Sequence, residues 1–288
     1  MAQLTRRVVF AVLAAPATIV LAYVGGLWWA LLLASAAGVA AWELYRIARA
    51  GGIQPAAWVG IPFAASIPVL SWAAFADWPV LGHVSVSGAV VALLAVFSAI
   101  LFSRRSHDRP LSSTGVTIFG ILYTGGTLAF AVGLRYHPLV IGGAAGTALV
   151  AFPIWLAWST DTGAYAVGRL FGRRKLMPSV SPGKTVAGAV GGLGLAMVMA
   201  WAYVHVILVP NASLTMTTFG SLGFGALVSV AAQVGDLAES LVKREAGMKD
   251  SSGLIPGHGG VLDRLDSIFF VMPVAYLILP WFLYGVSR

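Results

Sequence analysis

The chain has 288 residues, 59% of them hydrophobic and only 10% charged, with 18 Lys and Arg against 10 Asp and Glu and no Cys. A mean hydropathy of +0.88 excludes an ordinary water-soluble domain, in which about a quarter of the residues are charged. The absence of Cys excludes a disulfide framework and thiolate chemistry.

A helix that crosses a bilayer needs roughly 20 mainly apolar residues. About nine such runs are predicted, near 8–24, 27–45, 56–76, 79–102, 114–134, 139–159, 185–209, 215–235 and 267–286. The expected fold class is therefore all-α, a polytopic integral membrane protein. A signal-peptide reading of the first run, on Arg6 and Arg7 before an apolar core, is disfavoured because the next run follows after only Gly25 and Gly26. With the N-terminus inside and nine crossings, 16 of the 18 Lys and Arg fall on inner segments, leaving Arg135 and Arg288 outside. The positive-inside rule then predicts an N-in, C-out chain whose polar loops 160–184 and 243–266 face the cytoplasm.

The first 110 residues are chemically quiet. Glu43 reads as an interfacial carboxylate near Arg46, three residues on. Several Trp fall near predicted helix ends, as interfacial anchors do. His83, His107, His137 and His205 are dispersed singly, with no second ligand at helical spacing.

Polar content rises after Trp158. Asp161 ends an apolar run near the inner interface, where an ionisable residue is a functional candidate, although a helix-terminal or N-cap Asp is the structural alternative. Arg169, Arg173, Arg174 and Lys175 serve equally as orientation charges or headgroup contacts. Ser181-Pro182-Gly183-Lys184-Thr185 contains Gly-Lys-Thr before a helix, but a P-loop also needs a glycine where this chain has Pro178, together with a preceding strand. The local physics survives without the motif. Gly183 permits close backbone approach, helix-start amides can bind phosphate oxygens, and Lys184 adds a point charge.

Six of the ten acidic residues lie between Asp236 and Asp266. Lys243, Arg244, Lys249, His258 and Arg264 are interleaved with them, and Gly253, Gly257, Gly259 and Gly260 loosen the backbone. Asp236, Ser240 and Lys243 follow one helical stripe, and Asp263 and Asp266 share a face as the last span begins. Two acidic helix ends joined by such a loop suit a metal-bound polyphosphate. Mg²⁺ is usually held by one or two carboxylates plus substrate phosphates, and Asp236 and Asp263 are the expected ligands, with Asp266 and Asp161 near them. A two-metal site is one possibility, with Mn²⁺ or a monovalent cation left open. The structural alternative is a surface ion-pair network.

Two other functional classes share parts of this pattern. Asp161-Thr162-Gly163 and Gly235-Asp236 suggest an aspartyl protease dyad, but nearby cations oppose a shared proton and Gln233 replaces the first glycine of the membrane-protease motif. A transporter would carry its charges near the midplane in a repeated arrangement, whereas these sit in loops without a clear repeat.

The run from Ser240 to Asp266, S-x-V-K-R-x4-K-D-x-S-x2-I-P-x-H-G-G-V-x-D-R-L-D, resembles the signature of the phosphatidate cytidylyltransferases, or CDP-diacylglycerol synthases. Asp161-Thr162-Gly163-Ala164-Tyr165, Gly168-Arg169, Gly172, Ser181 to Thr185 and Gln233 to Ser240 also look like motifs of that family. The likeness covers roughly 155–270 and departs at Ala187, where the family usually has a glutamate, and at Gly183, where a basic residue is usual. It implies transfer of cytidylyl from CTP to phosphatidate with a divalent metal, releasing pyrophosphate, in a homodimer of the bacterial-type inner membrane. It implies metal binding by Asp236 and Asp263, and catalytic work by these with Asp161, Asp266, Lys243 and Arg264. Phosphate contacts would come from Ser181, Lys184, Thr185, Arg244 and Lys249, with His258, Gly259 and Gly260 shaping the loop. Residues 1–112 are then a structural, dimer-forming or lipid-facing region of about four helices, and 113–288 the catalytic region. Membrane lipids are expected partners and nucleic acid is not. A CTP-dependent polyprenol or lipid kinase is the alternative enzyme.

Overall fold

A computed structural model describes residues 14–76, 86–103, 105, 108–255 and 259–285. In chain order the helices are α1 (Ala14–Val24), α2 (Gly26–Ala50), α3 (Ala57–Phe75), α4 (Val86–Ser103), α5 (Pro110–Gly120), α6 (Thr127–Arg135), α7 (Gly142–Phe171), α8 (Val186–Tyr203), α9 (Val209–Ala212), α10 (Thr218–Glu245), α11 (Leu262–Leu265) and α12 (Ile268–Ile278). π-helical turns at Ile121–Gly126 and Val204–Leu208 join α5 to α6 and α8 to α9. Two small antiparallel ribbons complete the chain: β1 (Lys175–Met177) with β2 (Ser181–Thr185), and β3 (Leu214–Thr215) with β4 (Tyr284–Gly285).

The all-α membrane class holds. Six helical stretches among the described residues are long and apolar enough to cross a membrane: 26–50, 57–75, 110–135, 142–171, 186–212 and 218–245. Their side-chain distribution follows the physics of lipid rather than water. α2 buries the small residues Ala30, Ala34, Ala37, Ala40 and Ala41, while Trp28 and Leu31 on the same helix are exposed. Against lipid there is little to gain by hiding large apolar groups, so helices meet through small residues that let backbones approach.

The chain divides into two compact units, Met1–Val132 with Val242–Leu265, and Gly133–Leu241 with Asp266–Arg288. In the first, α2 packs against α3 around Tyr45, which is fully buried and donates its hydroxyl to Thr117 O at 2.7 Å. A Cβ added to Gly60 or Gly120 would collide with that ring, so both positions must be bare. In the second unit, α7 and α8 pack together along most of their length, and Phe152 stacks between Tyr203 (4.7 Å) and Phe224 (5.0 Å).

Two expected boundaries move. The loop anticipated over 160–184 is helical as far as Phe171, so Asp161 lies inside α7 rather than at its end or cap. Glycines explain the extension. A Cβ on Gly163 would stand 2.8 Å from Gly191 O, and one on Gly188 would stand 2.7 Å from Ala164 O, so α7 beyond Asp161 is held by close packing on α8. Ser181–Thr185 is likewise a strand, which puts Lys184 on an extended ribbon and not on a phosphate-wrapping loop.

Candidate functional site

The second unit contains a pocket of about 370 Å³. Asp161, Ala164, Tyr165, Gly168 and Arg169 line it from α7, Gly183, Lys184 and Thr185 from β2, Gly188 and Ala189 from α8, and Gln233 and Asp236 from α10. Residues from Asp161 to Asp236 in the chain thus converge. Lys184 Nζ lies 2.7 Å from Asp236 Oδ2, with side chains 26% and 31% exposed, so the pair is open to a ligand. Ser240 Oγ sits 3.4 Å from Asp236 Oδ1, one turn along the same helix. At the other wall Arg169 donates to the Tyr165 hydroxyl at 2.8 Å.

The start of α8 is only partly available to a phosphate. Thr185 caps the helix by accepting from the Gly188 amide at 3.1 Å, and the Val186 amide is bonded to Arg174 O at 3.0 Å. Two of the expected anion-binding amides are therefore occupied. Ala187, the departure from the family pattern, is not among the residues lining the pocket.

The first unit holds a constellation around the expected Asp263. Its Oδ1 accepts from Lys243 Nζ at 2.7 Å, and its Oδ2 accepts from the Ser251 amide, the Ser251 hydroxyl and the Gly260 amide, each at 2.9 Å. Burial alone would raise the Asp263 carboxyl, but the Lys243 hydrogen bond, the Gly260 and Ser251 amides and the Lys243 charge outweigh it and hold the group below its ordinary range. Every donor here favours the charged carboxylate, and Lys243 alone neutralises it. Asp263 thereby fixes Ser251 and Gly260 relative to α11.

Glu43 completes the cluster and was not assigned to it by the sequence. It is fully buried and accepts from the Val261 amide at 3.1 Å and the Leu262 amide at 2.6 Å, as well as from the Ser252 hydroxyl, while the Ser251 hydroxyl, whose one hydrogen goes to the nearer Asp263, lies 3.3 Å away. The two amides open α11, so the carboxylate caps that helix from α2. Arg46, the expected partner of Glu43, instead donates to Ser251 O at 3.3 Å. Gly260 is obligatory, since a Cβ there would overlap both Ser251 Oγ and the Glu43 carboxylate. Gly259, at φ +80°, occupies the left-handed region that glycine tolerates.

The remaining expected residues fall as follows. Arg244, Lys249 and Arg264 are exposed, with Arg244 donating to Met248 O at 3.4 Å. Asp266 accepts from its neighbour's amide, Ser267 N, at 2.6 Å. Ser181 is half-buried on β2 and does not line the pocket. His258 lies outside the described residues.

Whether these donors suit a divalent cation depends on their chemistry. Asp161 and Asp236 put two hard carboxylates on one pocket, the number Mg²⁺ takes from protein when phosphates and water supply the rest. No group of three or more His, Asp or Glu that could hold a metal by itself occurs among the described residues. The pocket therefore fits a metal that arrives with a phosphorylated ligand better than a resident ion.

Long apolar helices, one group of them enclosing a pocket where carboxylates and cations meet, define a polytopic membrane protein. The model of the cytidylyltransferase family matches residues 5–282, and the chain belongs to that family. It is 31% identical over 284 residues to a phosphatidate cytidylyltransferase of Bacillus subtilis (strain 168), covering 98% of this chain and all of the relative. Over 131 residues it is 46% identical to one of Haemophilus influenzae, 44% of each chain, and over 130 residues 39% identical to one of Staphylococcus aureus (strain COL), 45% of this chain and 48% of the relative.

Proposed function

We propose that this protein is a phosphatidate cytidylyltransferase, joining CTP and phosphatidate to CDP-diacylglycerol and pyrophosphate. The observation that carries the reading is the pocket in which Lys184 and Arg169 stand beside Asp161 and Asp236, in a chain that aligns end to end with a relative of that name. A phosphate oxygen of the lipid forms a bond to the α-phosphorus of CTP, the bond from that phosphorus to the bridging β-oxygen breaks, and pyrophosphate leaves with the electron pair. No protein nucleophile is required, which suits a chain without Cys. Lys184 and Arg169 bind and orient the triphosphate and offset charge on the leaving group. Asp161 and Asp236 would hold a divalent cation, Mg²⁺ by the oxygen character of its ligands. When bound, that cation supplies charge stabilisation to the phosphoryl oxygens.

The distribution of Lys and Arg supports an N-in, C-out arrangement in an inner membrane, with the pocket open to cytoplasmic nucleotide. A homodimer in detergent is the expected assembly. The test of function uses purified protein in detergent with phosphatidate, Mg²⁺ and CTP labelled at either the α or the γ phosphorus. Label passing from the α position into lipid is the expected result. Label from the γ position would identify a lipid kinase, and transfer of neither would remove the enzymatic reading.

A further inference from the structure

Gln233 lines the pocket from α10 and makes two hydrogen bonds through one atom. Its Nε2 donates to Ala189 O at 3.2 Å and to Ser229 Oγ at 3.3 Å. The first bond fixes the orientation of the amide, because a backbone carbonyl can only accept. The second is consistent with the rest of the network. Thr160 Oγ1 lies 2.9 Å from Leu156 O and 3.0 Å from Ser229 Oγ, and its single hydrogen goes to the carbonyl. Ser229 therefore donates to Thr160, leaving its lone pairs to accept from Gln233. Thr160 and Ser229 are fully buried, so no water competes for these positions.

Both hydrogens of the Gln233 amide are thus spent on protein. What the side chain can offer a ligand is its Oε1, which no protein donor meets among the described residues. Gln233 offers an acceptor in a pocket whose other polar side chains are Asp161, Asp236, Lys184, Arg169, Tyr165 and Thr185.

We infer that Gln233 Oε1 reads the nucleotide base, accepting from the exocyclic amino group of cytosine and rejecting the carbonyl that uracil carries at the same position. The inference rests on the proposed use of CTP and names the residue that would select it. Asp236 lies three residues along the same helical face, so phosphates at Lys184 and Asp236 leave the base within reach of the preceding turn. A uracil carbonyl opposite Oε1 would put two acceptors together with no hydrogen between them. A site built to bond a donor rejects the analogue lacking it far more strongly than an apolar pocket rejects a change in shape.

The test compares kcat/KM for CTP and UTP in the wild type, Gln233→Leu and Gln233→Glu, because a ratio is independent of the fraction of each preparation that is folded. The wild type is expected to prefer CTP by about tenfold or more, the scale of one unsatisfied polar group. Gln233→Leu should bring the ratio to within about threefold of unity, and so should Gln233→Glu, whose carboxylate has no hydrogen for Ala189 O and loses the anchor that positions Oε1. Binding of CTP and UTP without lipid, read from the shift in melting temperature, gives the same comparison for a variant with no turnover. An unchanged ratio in Gln233→Leu overturns the inference. So does a change confined to CTP against dCTP, which would assign Oε1 to a ribose hydroxyl, or to the Mg²⁺ requirement alone, which would assign it to metal-bound water. If the wild type binds CTP in preference to UTP but transfers no α label to phosphatidate, the functional reading fails while base selection by Gln233 remains under test by binding.

Discussion

The Ser252 hydroxyl donates to the carboxylate of Glu43, a residue 209 positions earlier in the chain. That bond and two others tie the segment after α10 to the buried face of α2, and Glu43 is the common acceptor. A lone carboxylate in an apolar helix persists because three donors converge on it, and it is costly to leave any of them unsatisfied.

Replacing Glu43 by Gln keeps the shape and turns one acceptor into a donor facing amides or hydroxyls that also donate. Glu43→Gln should destabilise the protein by about 1–3 kcal/mol and loosen the segment it anchors. Trypsin reports this directly, since Lys249 and Arg264 are exposed and cleavage at both should accelerate. Cleavage rates and a melting temperature equal to those of the wild type would show that Glu43 does not hold the segment.

Lys243 and Asp263 form a pair with side chains 11% and 8% exposed. Removing one charge of a buried pair costs about 3–5 kcal/mol, whereas removing both costs much less. Asp263→Asn and Lys243→Met should each lower the melting temperature in detergent, and the double variant should lose less than the sum. Strict additivity would mean that the two groups act independently. Asp263→Asn is also expected to abolish turnover, and near-normal activity in that variant would remove Asp263 from the machinery of the reaction.

The same carboxylate predicts an acid response. Asp263 is held below its ordinary value, so the folded state keeps it charged to lower pH than the unfolded state does. Its contribution is fully present above the unfolded value of about 3.9 and is lost as pH falls through the folded value. Stability should therefore decline below about pH 4 more steeply in the wild type than in Asp263→Asn. Parallel acid profiles for the two proteins would contradict the assignment.

The sequence made the membrane class legible because apolar runs of bilayer length are a strong signal. Asp161 and Asp236 were legible as carboxylates of one expected site and Lys184 as a phosphate contact, and all three line one pocket in the structure. Glu43 was misread because local spacing offered Arg46 as a partner, while its actual donors lie more than 200 residues away. Its one available signal was a carboxylate inside a long run of small apolar residues. The helical path of α7 beyond Asp161 was hidden for a similar reason. Polar side chains suggest a loop, but glycine contacts with α8, which depend on tertiary packing, carry the helix onward to Phe171.

Those glycine contacts are themselves testable. A Cβ at Gly192 would stand 2.6 Å from Thr160 O and 3.2 Å from the Ala164 Cβ, whereas one at Gly194 meets nothing within 4 Å. Gly192→Ala should push α8 away from α7, lowering the melting temperature and weakening CTP binding in the adjoining pocket. Gly194→Ala should leave stability unchanged or raise it by up to about 1 kcal/mol, from helix propensity. Equal behaviour of the two variants would exclude close α7–α8 packing at Gly192.

The Lys184–Asp236 pair makes opposite predictions for its two members. Its partial exposure means that it adds little to stability, so changes in ligand binding can be read without a large folding effect. Pyrophosphate in the absence of metal should bind at least as well to Asp236→Asn, where Lys184 is released from its carboxylate. It should bind about tenfold or more weakly to Lys184→Met, which loses a charge-assisted bond. Adding Mg²⁺ should strengthen binding to the wild type but add little in Asp236→Asn, because a neutral amide is a poor ligand for a hard cation. Calorimetric titration of the three proteins with and without Mg²⁺ separates these effects. A full Mg²⁺ response in Asp236→Asn would move the cation away from Asp236 and leave the pair as an anion gate alone.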